Sequence, residues 1–195
     1  LVLGLYATSR ALADAGLRND GEEPIGAGCI LGTGLGPCND MESSYSLLAL
    51  KGWRKLRPTT IPKTMFNTIT NRITIKYKLL GQHYTIASAC ASSSHALGMA
   101  TMMIRSGMEN MILAGGTDSP LSPGIFGAWI HLGILSPNPD APHAFRPFDR
   151  NRNGLVLSEG AAMLVLEELE HAKSREARIY AEIVGYGATS DATHL

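Results

Sequence analysis

The chain has 195 residues, 45% of them apolar and 17% charged, a balance that suits one packed α/β domain and excludes a disordered or low-complexity chain. Seventeen basic residues face seventeen acidic ones, so the zero net charge recruits neither nucleic acid nor a membrane surface, and an acidic partner has to be met by a local patch. Cys29, Cys38 and Cys90 form no Cys-x-x-Cys pair and have no zinc-like spacing to a histidine, and no apolar run is long enough for a membrane span; a metal-free protein of a reducing, cytoplasmic setting is expected.

In chain order, Leu1, Leu5, Thr8, Leu12 and Ala15 share one helical stripe, with Gly16 at its end. Segment 25–31 is an apolar run that predicts a buried strand, leading into Gly32-Thr-Gly-Leu-Gly36. That glycine run lacks the third-glycine spacing and the acidic partner of a dinucleotide site, so a backbone turn is expected there, and no cofactor. Asn39 with Glu42 three residues on predicts a capping box that opens a helix to about Lys51. A basic, proline-rich link over 52–62 follows, and Met65, Ile69 and Ile73 mark a helix ending near Gly81.

Segment 85–89 predicts a short strand, 92–106 a helix with Leu97, Ala100 and Ile104 inward, and 110–114 a strand closed by Gly115 and Gly116. Together they form a βαβ unit, expected to be parallel. The loop-rich stretch 120–153 holds one helix around 124–132, and 161–166, 168–175 and 179–186 predict strand, helix, strand.

Cys90 stands between the strand 85–89 and the next helix, in Ser88-Ala-Cys-Ala-Ser-Ser-Ser-His95. A thiol there feels the positive end of the helix dipole, which favours thiolate, and Ala89, Ala91 and Ser92 leave room for a substrate. On residue pattern alone a reactive cysteine and a buried structural one both fit, burial being the usual fate of a free thiol. His95 lies five residues on, roughly 140° around the helix from the thiol, a poor place for its base and a suitable one for a structural bond.

The segment Ser88 to Gly98 resembles the nucleophile segment of the elongating β-ketoacyl-[acyl carrier protein] synthases of the thiolase superfamily, including the His-x-x-Gly of His95 and Gly98. Leu113-Ala-Gly-Gly-Thr-Asp118, the run from Pro147 to Gly160, Met163-Leu-Val-Leu-Glu-Glu168, the run from Ile179 to Gly187, and Ser190 to His194 resemble the same family in the same order. An ordered series over nearly the whole chain is far more specific than a lone cysteine.

The resemblance implies a layered thiolase-like α/β/α/β/α sandwich, of which residues 1–195 form the N-terminal half as a domain truncated at both ends. It makes Cys90 the nucleophile, with its backbone N–H helping to bind the thioester oxyanion. It places Trp129 at the acyl pocket, where similar enzymes commonly carry Phe, so chain-length preference does not carry over. Arg54 and Lys55, within the basic cluster Lys51, Arg54, Lys55 and Arg57, match basic residues that receive an acyl carrier protein in similar enzymes. The implied reaction is decarboxylative condensation of an acyl-cysteine enzyme with malonyl-carrier in fatty-acid or polyketide synthesis, carried out by a homodimer paired through the strand 85–89. The two condensing histidines of the family, in a His-Gly-Thr segment and a Gly-His segment, do not occur here. Rival readings are a non-condensing partner subunit of the same fold, against which Cys90 speaks, and a thiolase or cysteine hydrolase. Asp149, Arg150, Arg152 and Glu159 resemble a family element under the active site, with buried ion pairing expected, whereas Gln82 and His83 depart from the family pattern before the strand.

Overall fold

The computed structural model describes residues 1–17 and 21–193. His194, the last residue of the family-like run from Ser190, lies outside them. The elements are α1 (Val2–Asp14), β1 (Gly28–Gly32), α2 (Cys38–Lys51), α3 (Thr60–Thr64), α4 (Thr68–Tyr77), β2 (His83–Ile86), α5 (Ser92–Arg105), β3 (Met111–Asp118), α6 (Pro123–Leu132), α7 (Ala141–Ala144), β4 (Gly160–Glu167) and α8 (Leu169–Ser174). A 3₁₀ turn, Trp53–Lys55, lies between α2 and α3. No helix among the described residues is long and apolar enough to cross a membrane.

The chain divides into two compact units. The first takes Leu1–Gly34, Phe66–Thr117 and Ala161–Leu195. Its four-stranded sheet has the order β2-β1-β3-β4, with β1 parallel to both β2 and β3. The expected parallel βαβ unit is present, but its two strands flank β1 instead of pairing with each other.

Strand alternation sorts the core. Cys29 and Leu31 of β1 and Leu113 of β3 pack with Leu12 of α1 and Ile73 and Tyr77 of α4. Ile30, Ile112 and Ala114 point to the opposite face and meet Ala96, Ala100 and Met103 of α5. Both faces of β1 are therefore covered, and all five of its residues are buried, the pattern expected of a parallel strand. Burying one such Ile or Leu side chain contributes about 2 kcal/mol. Gly16 ends α1 at φ +72°, where the Leu17 N–H reaches the Leu12 carbonyl at 2.8 Å.

Several expectations are corrected. The inward stripe of α5 is Ala96, Ala100 and Met103, with Leu97 and Ile104 only half-buried at its margin. Toward its N-terminal end, where the helix runs close to the strands, small side chains such as Ala96 take the sheet side. β3 does not stop at its glycines but runs through Gly115 and Gly116 to Asp118. β2 begins two residues earlier than expected, at His83. Segment 179–186 forms no strand: it crosses α5, where the Ile183 carbonyl accepts from Arg105 at 2.9 Å and Tyr186 lies over Gly98.

The second unit takes Leu35–Met65 and Asp118–Gly160. The capping box expected at α2 does not form: Pro37 precedes the helix with no side-chain cap, and Glu42 is used elsewhere. Its carboxylate accepts the Ser122 hydroxyl at 2.5 Å and the Gly124 N–H at 3.0 Å, so a residue of α2 caps α6. The link 52–62 is less irregular than its composition implies, since it contains the 3₁₀ turn and the start of α3.

Candidate active site at the strand-to-helix turn

β2 ends at Ile86, and the chain reaches α5 through Ala87 to Ala91. Two tight turns make the passage: the Ala91 N–H donates to the Ser88 carbonyl and the Ser92 N–H to the Ala89 carbonyl, each at 3.2 Å. Ala89 has φ +50°, a left-handed conformation that costs an alanine about 1 kcal/mol. Cys90, the next residue, is exposed, whereas Cys29 and Cys38 are buried.

The first turn of α5 sits directly on the sheet. A Cβ on Gly32 of β1 would overlap the Ser92 backbone, and one on Gly116 of β3 would overlap the Ser93 hydroxyl. These glycines serve close approach of a helix terminus. The expected backbone role of the run 32–36 is thus met at Gly32 by packing, while Gly36 supplies a left-handed turn at φ +59°. The Ser92 hydroxyl lies 3.0 Å from the Thr33 carbonyl, which ties the helix start to the end of β1.

His95 does not act on Cys90 through any hydrogen bond among the described residues. Its Nδ1 meets Ser88 Oγ at 2.7 Å, the structural bond anticipated for it. Ser88 was not singled out by the sequence reasoning; its position two before the cysteine and seven before His95 is the signal that could have found it.

Burial separates the three thiols chemically. Desolvation pushes Cys29 up to about 12 and also raises Cys38, the latter partly offset by a hydrogen bond from Asn39. No group of three His, Cys, Asp or Glu side chains that could hold a metal occurs among the described residues.

The remaining expected site residues belong to the second unit. Trp129 is half-buried on α6, a helix with no fully buried residue. Arg54 and Lys55 are exposed on the 3₁₀ turn, with the Arg54 guanidinium 5.2 Å above the Trp53 ring. Buried ion pairing of the 149–159 charges is overturned: Asp149, Arg150, Arg152 and Glu159 are exposed. The Asp149 carboxylate closes a local turn by accepting the Asn151 N–H at 2.6 Å, and Glu159 accepts from the Ser119 hydroxyl.

Comparison with known proteins places the whole chain in a family. Residues 1–172 match the family described as Beta-ketoacyl synthase, N-terminal domain. The chain belongs to the β-ketoacyl synthase family. A 3-oxoacyl-[acyl-carrier-protein] synthase 2 of Rhizobium meliloti (strain 1021) is 37% identical over 198 residues, covering 100% of this chain and 47% of that protein. A solved type II PKS acyl-carrier protein in complex with its ketosynthase bound to the hexaketide matches with a TM-score of 0.88 and 32% identity, over 100% of this chain and 49% of its own. The crystal structure of a β-ketoacyl synthase from Burkholderia phymatum STM815 gives a TM-score of 0.86 and 36% identity, over 97% of this chain and 47% of its own. The fold is thus the thiolase-like ketosynthase fold expected from the sequence. The chain spans about half the length of the curated relatives it matches.

Proposed function

We propose that this chain supplies the nucleophile half of a β-ketoacyl-[acyl carrier protein] synthase, with Cys90 as the residue that accepts the acyl group. The observation that carries the reading is the exposed Cys90 on the left-handed turn into α5, in contrast to Cys29 and Cys38, which burial silences.

In the proposed reaction the Cys90 thiolate attacks the carbonyl of an acyl thioester on the carrier's phosphopantetheine arm. A carbon–sulfur bond to Cys90 forms, the arm's thiolate departs and takes up a proton, and the acyl-enzyme remains. The Cys90 backbone N–H helps to bind the developing oxyanion, since a fixed donor aimed at forming charge supplies much of such catalysis. Malonyl-carrier then loses CO₂, its carbanion attacks the acyl carbonyl, and the Cys90 thiolate is released. The donors that polarise the malonyl carbonyl are two histidines of segments not represented in this chain.

Trp129 bounds the acyl pocket in this reading, and Arg54 and Lys55 meet an acidic carrier protein. The solved ketosynthase complex with its acyl-carrier protein supports a carrier as partner. Homodimer formation and a cytoplasmic location belong to the same proposal.

The test is to incubate the full-length protein with an acyl-carrier thioester, map the adduct by mass spectrometry and chase with malonyl-carrier. An acyl group on Cys90 that is consumed as a β-ketoacyl product forms is expected. An adduct elsewhere, or none, overturns the assignment.

A further inference from the structure

We infer that Ser88 and His95 form a positioning pair that holds the turn carrying Cys90, an inference that rests on Cys90 being the nucleophile. The two residues flank it in sequence, and Ser88 Oγ meets His95 Nδ1 at 2.7 Å. A second link runs beside the first: the Ser88 N–H donates to Ser92 Oγ at 2.8 Å. That hydroxyl lies 2.6 Å from the Ala89 carbonyl and 3.0 Å from the Thr33 carbonyl. A hydroxyl has one proton, so Ser92 receives from Ser88 and gives to one of the two carbonyls. Ser88 is thereby fastened twice to α5, once through its main chain and once through its side chain.

The fastening has work to oppose. Ala89 sits between the anchors at φ +50°, and a residue held in that region persists only where its surroundings determine it. Relaxation of Ala89 would swing the next residue, Cys90, away from its place at the helix start. His95 is itself held. Its ring meets that of Tyr186 edge to face, with centroids 6.4 Å apart. Tyr186 fills the space over Gly98, one turn along the same helix, where a Cβ would overlap its ring. Turning the imidazole away from Ser88 would therefore disturb a packed contact as well as a hydrogen bond.

The pair differs from a catalytic base in what it should control. Its effect is on where the thiol stands, so it matters most for reaction with a large substrate that must also meet the oxyanion donor. A small alkylating agent can approach from many directions and asks less of the turn.

In the full-length protein, wild type is compared with Ser88→Ala, His95→Phe, the double variant and His95→Asn, whose side-chain amide can replace Nδ1 as the partner of Ser88. Three quantities are measured: acylation of Cys90 by a medium-chain acyl-pantetheine thioester, alkylation of Cys90 by iodoacetamide, and the thermal midpoint. Each single variant is expected to slow acylation about tenfold. Alkylation should stay within about twofold of wild type, and the double variant should be no slower than the slower single one, as for two halves of one interaction. His95→Asn should recover most of the acylation rate. Unchanged acylation in the single variants, additive losses in the double variant, or a parallel fall of acylation, alkylation and midpoint overturns the positioning role alone. Failure of wild type to acylate at Cys90 overturns the nucleophile reading and this inference with it.

Discussion

Gly32 of β1 and Ser92 of α5 lie backbone against backbone, with no room for a Cβ between them. The contact seats the helix start, and hence the proposed nucleophile turn, on the central strand. Gly32→Ala should push the first turn of α5 outward and destabilise the protein by about 2 kcal/mol, the usual cost of overpacking a tight site. Chemical denaturation of the full-length variant, read beside its rate of Cys90 acylation, checks this. An unchanged midpoint would mean that α5 can shift without penalty.

The three cysteines should react at very different rates. Cys29 is fully buried and pushed up to about 12 by desolvation, so it stays a protonated thiol at pH 8, and Cys38 is also buried and raised. Cys90 is exposed at a helix start. Limited iodoacetamide treatment of the folded protein followed by peptide mapping should label Cys90 first by a wide margin. Comparable labelling of all three would contradict the assignment.

Trp129 places an indole at the proposed acyl pocket, where the family resemblance implies a smaller phenyl ring. Trp129→Ala in the full-length protein should therefore widen the proposed pocket and move the acyl-length profile toward longer chains, with Trp129→Phe in between. Steady-state rates over a series of acyl-carrier substrates give the profile. If both variants keep the wild-type profile, Trp129 does not bound the pocket.

Much of this architecture was legible in the sequence because periodicity survives packing. The stripe from Leu1 to Ala15 became α1, the apolar run before Gly32 became β1, and the serine-rich run after Cys90 became α5. The misreadings share a cause: they concern what a segment meets far away in sequence. Glu42 sits three residues after a good cap residue, yet its carboxylate is taken by Ser122 and Gly124, 80 and 82 positions on. Segment 179–186 has strand-like alternation but finds no strand partner among the described residues, and lies over α5. At the site, Cys90 was evident from its neighbours and the family-like motif. Ser88 was not, because a serine before a turn carries no signal until the side chain it reaches is known.

Glu42 also makes a pH prediction. Hydrogen bonds from the Ser122 hydroxyl, then from the Gly124 N–H, hold its carboxyl below the ordinary carboxylate range. A carboxyl depressed on folding stabilises fully above its unfolded pKa, and the benefit is lost as pH falls through the lower folded value. Thermal midpoints of wild type and Glu42→Gln should therefore differ near neutrality and converge in acid. A gap that persists unchanged at low pH would rule out the carboxylate as its source.

β2 is the edge of the four-stranded sheet, bonded to β1 on one side, with His83 and Tyr84 exposed. Open edges invite pairing with another strand, and in this case a second copy is the expected partner. Light scattering on the full-length protein at micromolar concentration should return a dimer. A monomer there would remove β2 as a pairing surface.

The strand order has a consequence for synthesis on the ribosome. β1 is made before either of its strand neighbours, so Cys29 waits for His83 and Gly28 for Ile112 before either side of the strand is satisfied. Its apolar residues therefore emerge when α1 supplies Leu12 but α4 and both strand neighbours are still to come, and closing those large loops must precede the reward of pairing. A nascent chain paused before β3 should depend on chaperones, with β1 as the segment they hold, until translation delivers the strand that completes its burial.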